Sequence, residues 1–444
     1  MRIAAGRGGM WTDEAWSVVY AAQARDVLGV FTRINHDNNH HLNTLWLQAV
    51  GMQASPLLAR APAILAGTLT IPVAALLFLR RSAVGAVAAA GLFAISPIMV
   101  IYGSEARGYA LMMLAALVMI LLVAEAVEGR AGSVTRWIMA LTAALGMLSQ
   151  LTMAAPLVLL TLWVYLEKRS SVAVRGAMLE TLALMGPALG AAAAAALFAL
   201  VPAVVSPTGL QTGGYNPFTV RNYLLGLSKL DEWTVGWMFP AHWIAAVALL
   251  GTGAAILVRQ PAMMASRARL YGILILGTPV VILVEHMGNA QFSRFYLCSA
   301  IAILLLGAEW TVRAVGGGAK NRALWAAACA LFLASAFWHD RQFIELGRGH
   351  PERAIRLMAD QAPQGAPVDV ATYQFVAPMV VAARQADYPL ALANGCAPAE
   401  FMIVARGPNS PDTLIRCGRA MRAIGWSEAT DLSGDAWVLY RTQA

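Results

Sequence analysis

Charge is what this chain has little of. Of its 444 residues 13% are charged and 59% hydrophobic, against about 25% and about 45–50% in an ordinary soluble domain, which excludes an enzyme surrounded by water on every side. The scarcity is uneven. Residues 1–338 hold 22 basic and 13 acidic residues, and residues 339–444 hold 10 and 11, so a charge-poor body precedes a tail of ordinary composition. The net charge of +8 resides in the body and is no sign of nucleic-acid binding. Cysteine is also scarce. Cys298 and Cys329 sit in apolar runs and read as small buried hydrophobes, while Cys396 and Cys417 in the tail are either a disulfide or two thiols, depending on compartment. No Cys/His spacing suits zinc, no G-x-G-x-x-G fingerprint follows a strand, and Met1–Gly9 has no signal-peptide apolar run.

Long apolar runs, by contrast, abound. A crossing helix needs about 20 mostly apolar residues, and ten segments qualify or nearly do: 60–79, 84–101, 108–126, 135–151, 153–167, 176–201, 236–257, 270–285, 294–311 and 323–338. The fourth and fifth are short, with Ser149–Thr152 between them, and read as a tilted hairpin. Thirteen Lys and Arg fall in alternate connections, including Arg80, Arg81, Arg130, Lys168, Arg267 and Arg322. The retention of such residues on the cytoplasmic side puts the other loops, the N-terminal segment and the tail outside. The expected fold is thus an all-α polytopic membrane protein of about ten transmembrane helices with a small extracytoplasmic α/β domain. Its divisions are 1–59 (first outer segment), 60–338 (helical domain) and 339–444 (soluble domain).

Transporters place ionisable groups near the bilayer midplane. Here they gather at the outer edge, among them Asp13, Glu14, His36, His40, Glu105, Arg107, Asp231 and Arg294, which favours a reaction centre at one surface over a transporter or flippase. Three clusters stand out. In Trp11-Thr12-Asp13-Glu14-Ala15-Trp16-Ser17 and the following His36-Asp37-Asn38-Asn39-His40-His41, a carboxylate beside polar groups suits general-base work. Equally, the acids could occupy a helix first turn with Thr12 or Asp13 as its cap, and adjacent His40 and His41 diverge too far for an easy metal pair. Ser104-Glu105-Ala106-Arg107-Gly108-Tyr109 is either a working site or an ion pair ordering a turn. Arg294 in Ser293-Arg294-Phe295-Tyr296 either snorkels or holds a phosphate by charge-assisted hydrogen bonds.

In this order the motifs resemble the glycosyltransferase C superfamily, in particular bacterial membrane enzymes of the protein O-mannosyltransferase and lipid A aminoarabinose transferase type. The likeness rests on Asp13-Glu14, the His36-led segment, Arg60-Ala61-Pro62 leading to Ser96-Pro97 and the Ser104–Tyr109 turn, and Arg294-Phe295. It departs at Asp37-Asn38-Asn39-His40, where the family has prolines. The family also has a membrane helix before the Asp-Glu loop, while 12 residues precede Asp13, so a truncated start and a non-native segment 1–10 are expected.

The resemblance implies an inverting transferase of the bacterial inner membrane. Its donor is a sugar on a polyprenyl phosphate, and its acceptor a lipid, glycan or protein hydroxyl. Asp13 is the base, with Glu14 or Glu105 orienting it or the acceptor. His36, Asn39, His40, Arg107, Tyr109, Arg294 and Tyr296 line the substrate pocket. Membrane lipid is a partner and nucleic acid is not; no cofactor is expected, a divalent metal being the less favoured option. In the tail, 351–361 and 411–424 read as helices and 368–374, 401–405 and 436–441 as strands.

Overall fold

A computed structural model of the chain describes residues 1–213, 216–236, 242–259, 267–393, 398–430 and 432–443. A mostly helical body carries one small C-terminal sheet domain. Among the described residues six helices are long and apolar enough to cross a membrane: Ala61–Leu79, Tyr109–Val127, Leu151–Arg169, Val174–Val204, Ser293–Gly316 and Ala319–Leu346. Ala83–Ile95, Ser133–Ser149 and Arg269–Val284 are apolar but shorter. Each of the ten expected segments coincides with helix, although residues 237–241 of segment 236–257 lie outside the described residues.

Burial ranks the helices. Tyr109–Val127 is apolar all round and lies inside, with Met113, Leu117, Met119 and Val123 wholly enclosed, as a helix with no polar face must be. Ala319–Leu346 is peripheral and leaves Leu331, Leu333 and Phe337 more than half exposed, the kind of surface that hydrocarbon rather than water covers.

The expected segment 84–101 is two helices, Ala83–Ile95 and Pro97–Tyr102. The proline ring excludes the helical conformation for the residue before it, and Ser96 is extended at φ −63°, ψ 124°. Its hydroxyl donates to the Thr234 carbonyl at 2.8 Å. This break turns the chain so that every residue from 97 to 110, including the Glu105-Ala106-Arg107 turn, is buried.

The helix Ala319–Leu346 runs unbroken through the expected 338/339 boundary, and the sheet domain follows Gly347. Its strands are β1 (Pro367–Val370), β2 (Ala391–Ala393), β3 (Phe401–Ala405), β4 (Thr413–Arg416), β5 (Arg419–Trp426) and β6 (Trp437–Thr442), ordered β2-β1-β3-β6-β5-β4. β1 is parallel to β2 and β3, and the remaining pairs are antiparallel. Helices Pro351–Gln361 and Val376–Gln385 pack on it around Val368, Phe375, Met379, Phe401 and Ile403.

Residues 411–424, expected as a helix, form the β4–β5 hairpin instead. Cys417 (φ 50°) and Gly418 (φ 77°) make the two-residue turn between the paired Arg416 and Arg419. Two successive positive φ values match the right-handed twist of a hairpin, and a helix admits neither. The strand expected over 368–374 ends at Val370, and Tyr373–Phe375 is a 3-10 turn leading into Val376–Gln385. Cys417 is disulfide-bonded, Cys396 lies outside the described residues, and Cys298 and Cys329 are free.

The sheet domain docks on the helix Thr12–Ala24 through an apolar seam in which Ala377 and Val381 meet Met10, Ala15 and Val18. An unpaired charge there is costly to bury. Val381→Asp is therefore expected to release the domain and to speed limited proteolysis between Leu346 and Pro351. An unchanged cleavage rate would contradict the seam.

Candidate active site

The helix Thr12–Ala24 begins after Trp11 with no side-chain cap. The Thr12 amide donates instead to Asp435 Oδ2 at 2.9 Å, so neither acid is used as a cap. Successive residues on a helix point about 100° apart, and Asp13 and Glu14 accordingly serve different surroundings.

Glu14 points inward and is wholly buried with Arg60. Its Oε1 accepts from Arg60 Nε at 2.8 Å and the Ala106 amide at 2.6 Å, and its Oε2 from Arg60 Nη2 at 2.5 Å. Arg60 directs its other N–H groups to the carbonyls of Gly6, Gly8 and Gly9, each at 2.8 Å, which occupies all five of its donors. Segment 1–10, expected to be foreign to the fold, thus supplies part of a fully buried ion site. Burial works to raise the Glu14 pKa, but Arg60 and Arg348 outweigh it and hold the carboxyl below its usual range.

Asp13 faces a cavity of about 390 Å³. Its Oδ2 accepts from Arg107 Nη1 at 2.7 Å and from Arg294 Nη1 at 2.6 Å, and its side chain keeps 26% of its surface accessible. Burial pushes its pKa up, and the two guanidiniums more than reverse this, leaving it below the ordinary carboxylate value. Arg107 is fixed twice more, by Nη2 to Asn38 Oδ1 at 2.6 Å and by Nε to His40 Nε2 at 3.1 Å. His40 therefore accepts at Nε2 and is neutral; burial first, then the Arg107 charge, lowers its pKa well below the usual value. The arginines also lie over aromatic faces, Arg107 over Tyr109 at 4.9 Å and Arg294 over Phe292 at 4.4 Å. Gly108 lets the turn approach the neighbouring helix end, since a Cβ there would lie 1.7 Å from the Ser149 carbonyl.

Glu105 is fully buried behind the wall. It lies 3.6 Å from Arg107 and 3.7 Å from Arg348 and accepts from Ser433 Oγ at 3.2 Å. Burial dominates and raises its pKa, with the arginines opposing incompletely and Glu14 adding to the rise. Arg348 also donates to the Ile101 carbonyl and to Ser104 and Ser433, tying the segment that leads into the sheet domain to the turn that carries Arg107.

Of the ten expected site residues, Asp13, His36, His40, Arg107, Tyr109 and Arg294 line the cavity. The other four stand behind it. Glu14 and Glu105 are enclosed in ion pairs and do not line the cavity, so contact with an acceptor, one of the two orienting roles expected for them, is closed to them. Asn39 donates to the Val30 carbonyl at 2.7 Å, and Tyr296 to the Ala290 carbonyl at 2.9 Å. The cavity also has walls beyond those ten residues. Trp16 and Tyr20 are on the same helix as Asp13, Asn38 holds Arg107, and Tyr373 and Gln374 come from the sheet domain. The i, i+3 spacing of Asp13 and Trp16 was the one available signal for the aromatic wall.

No protein-family model matches the chain, and no curated protein matches it in sequence. What the site can do follows from its geometry. Two guanidiniums converging on one carboxylate oxygen make a locally electropositive spot beside a proton acceptor, suited to holding an anion next to a hydroxyl. Among the described residues no group of three His, Cys, Asp or Glu is arranged to hold a metal ion.

Removing one partner of a buried pair leaves the other charge uncompensated, at about 3–5 kcal/mol. Arg60→Met and Glu14→Ala are each expected to cost that much, read as a large fall in thermal stability in detergent. Melting close to wild type in both would show that the pair does not hold the site together.

Proposed function

We propose that the chain is a membrane glycosyltransferase that moves a sugar from a polyprenyl-phosphate donor to an acceptor hydroxyl, with inversion, at the outer face of a bacterial inner membrane. On this reading all ten apolar segments cross or enter the bilayer and the sheet domain is extracytoplasmic, in keeping with the alternation of basic loops. The observation that carries the reading is Asp13 Oδ2 bridging Arg107 and Arg294 on the wall of a cavity.

In the reaction the acceptor O–H loses its proton to Asp13 while its oxygen bonds to the anomeric carbon from the face opposite the leaving group. The bond from that carbon to the phosphate oxygen breaks, and the electron pair leaves on polyprenyl phosphate, whose charge Arg107 and Arg294 neutralise. A carboxylate pinned by two arginines is a weak base. The donor phosphate competes for the same guanidiniums, so its binding frees Asp13 and raises its basicity only when a leaving group is in place. Water entering an empty cavity meets a base with little capacity to activate it.

A transporter of lipid-linked sugars is the competing reading. The two differ in product, because a glycosylated acceptor formed in detergent, with no sealed compartment, cannot come from transport.

Asp13→Asn is expected to lower transfer by at least about 100-fold with membrane insertion and yield intact; substantial turnover by this variant would remove Asp13 as the base. The pH profile carries a second expectation. kcat/KM for the donor reports free enzyme, in which Asp13 is depressed, and stays flat from pH 7 to about 5. kcat reports the donor-loaded enzyme, and its acid limb lies at higher pH. Coincident limbs would contradict competition for the arginines.

A further inference from the structure

The cavity has two chemically different ends. Arg107, Arg294 and Tyr109 form one, and a ladder of rings forms the other. Trp16 stacks on Tyr373 at 5.2 Å and 28° and on Tyr20 at 5.6 Å and 29°, and Tyr20 stacks on His36 at 5.0 Å and 30°. All four rings line the cavity, although they come from the helix Thr12–Ala24, the loop before the helix His41–Val50 and the sheet domain. Tyr373 is 71% exposed, a large ring left in water at the mouth of a cavity that its neighbours already shape.

We propose that this aromatic ladder is the acceptor subsite and that the acceptor is a carbohydrate, one of whose rings lies against Tyr373 and the adjoining edge of Trp16. The proposal rests on the glycosyltransferase reading and narrows its acceptor to one class. A pyranose presents a face of C–H groups and a rim of hydroxyls. An aromatic platform answers the face through its negative ring quadrupole, and Thr12, His36, Asp37 and Gln374, which line the same cavity, answer the rim. An alkyl chain in this place would strip water from those polar groups without replacing their hydrogen bonds. An extended peptide would pair with a strand edge, and the edge strands β2 and β4 contribute nothing to the cavity wall. Asp13 is one helical turn before Trp16 and shares its face, so a hydroxyl of a ring on the platform is delivered to the carboxylate.

The test uses the full chain in detergent, probed with an array of immobilised hexopyranose oligosaccharides, with phosphatidylglycerol vesicles and a threonine-rich peptide as rival probes. Wild type is expected to bind the oligosaccharides. Tyr373→Ala is expected to weaken that binding about tenfold at unchanged melting temperature, and Tyr373→Phe, which keeps the ring, to restore it. Binding to vesicles or peptide only, no binding at all, or equal binding by wild type and Tyr373→Ala would overturn the proposal. Asp13-dependent transfer to a lipid or peptide with no saccharide bound sinks the platform alone. Saccharide binding lost in Tyr373→Ala, with no transfer by wild type, sinks the transferase reading and leaves the platform standing.

Discussion

A charge taken out of water must meet an opposite charge, and that constraint organises this molecule. Arg60 and Glu14 are both fully enclosed, and their pairing draws together the first ten residues, the start of the first long helix, the start of Ala61–Leu79 and the turn at Ala106. Arg348 does the same for the sheet domain through Ser104, Ser433 and Glu105. Losing either arginine leaves a buried carboxylate with too little positive charge beside it. The pairs are therefore less a source of net stability than a device that permits one arrangement.

With those charges satisfied internally, Asp13, Arg107 and Arg294 are held at the cavity wall with few alternatives. Arg107 is pinned by Asn38, His40 and Asp13 at once, so its Nη1 is aimed before any ligand arrives. Preorganised charge of this kind is what stabilises a developing phosphate leaving group most effectively. The sheet domain is part of the same device, because Tyr373 and Gln374 complete the wall and Thr12 is bonded to both Asp435 and Gln374.

Much of the site was legible in the sequence because charge is scarce at the ends of apolar segments, where Asp13, Arg107 and Arg294 had few competitors. What could not be read was which of two neighbouring acids faces the cavity. Helical phase separates Asp13 from Glu14, but only Arg60, 46 residues further on, determines that Glu14 is the inner one. Tyr373 was invisible for a related reason: its place depends on docking of the sheet domain, which no local pattern encodes. In the body, apolar length located the helices, and Pro97 marked a break that hydropathy passes over. In the tail, spaced apolar residues over 411–424 fit a helix as well as a hairpin, and the deciding residues, Cys417 and Gly418, do so through backbone angles.

We propose that the donor phosphate takes over the arginines that Asp13 bridges. A structure of the chain with polyprenyl phosphate bound tests it most directly. The expected result is phosphate oxygens on Arg107 Nη1 and Arg294 Nη1, with Asp13 released from at least one of them. Phosphate bound elsewhere, with Asp13 still bridging both arginines, would contradict it.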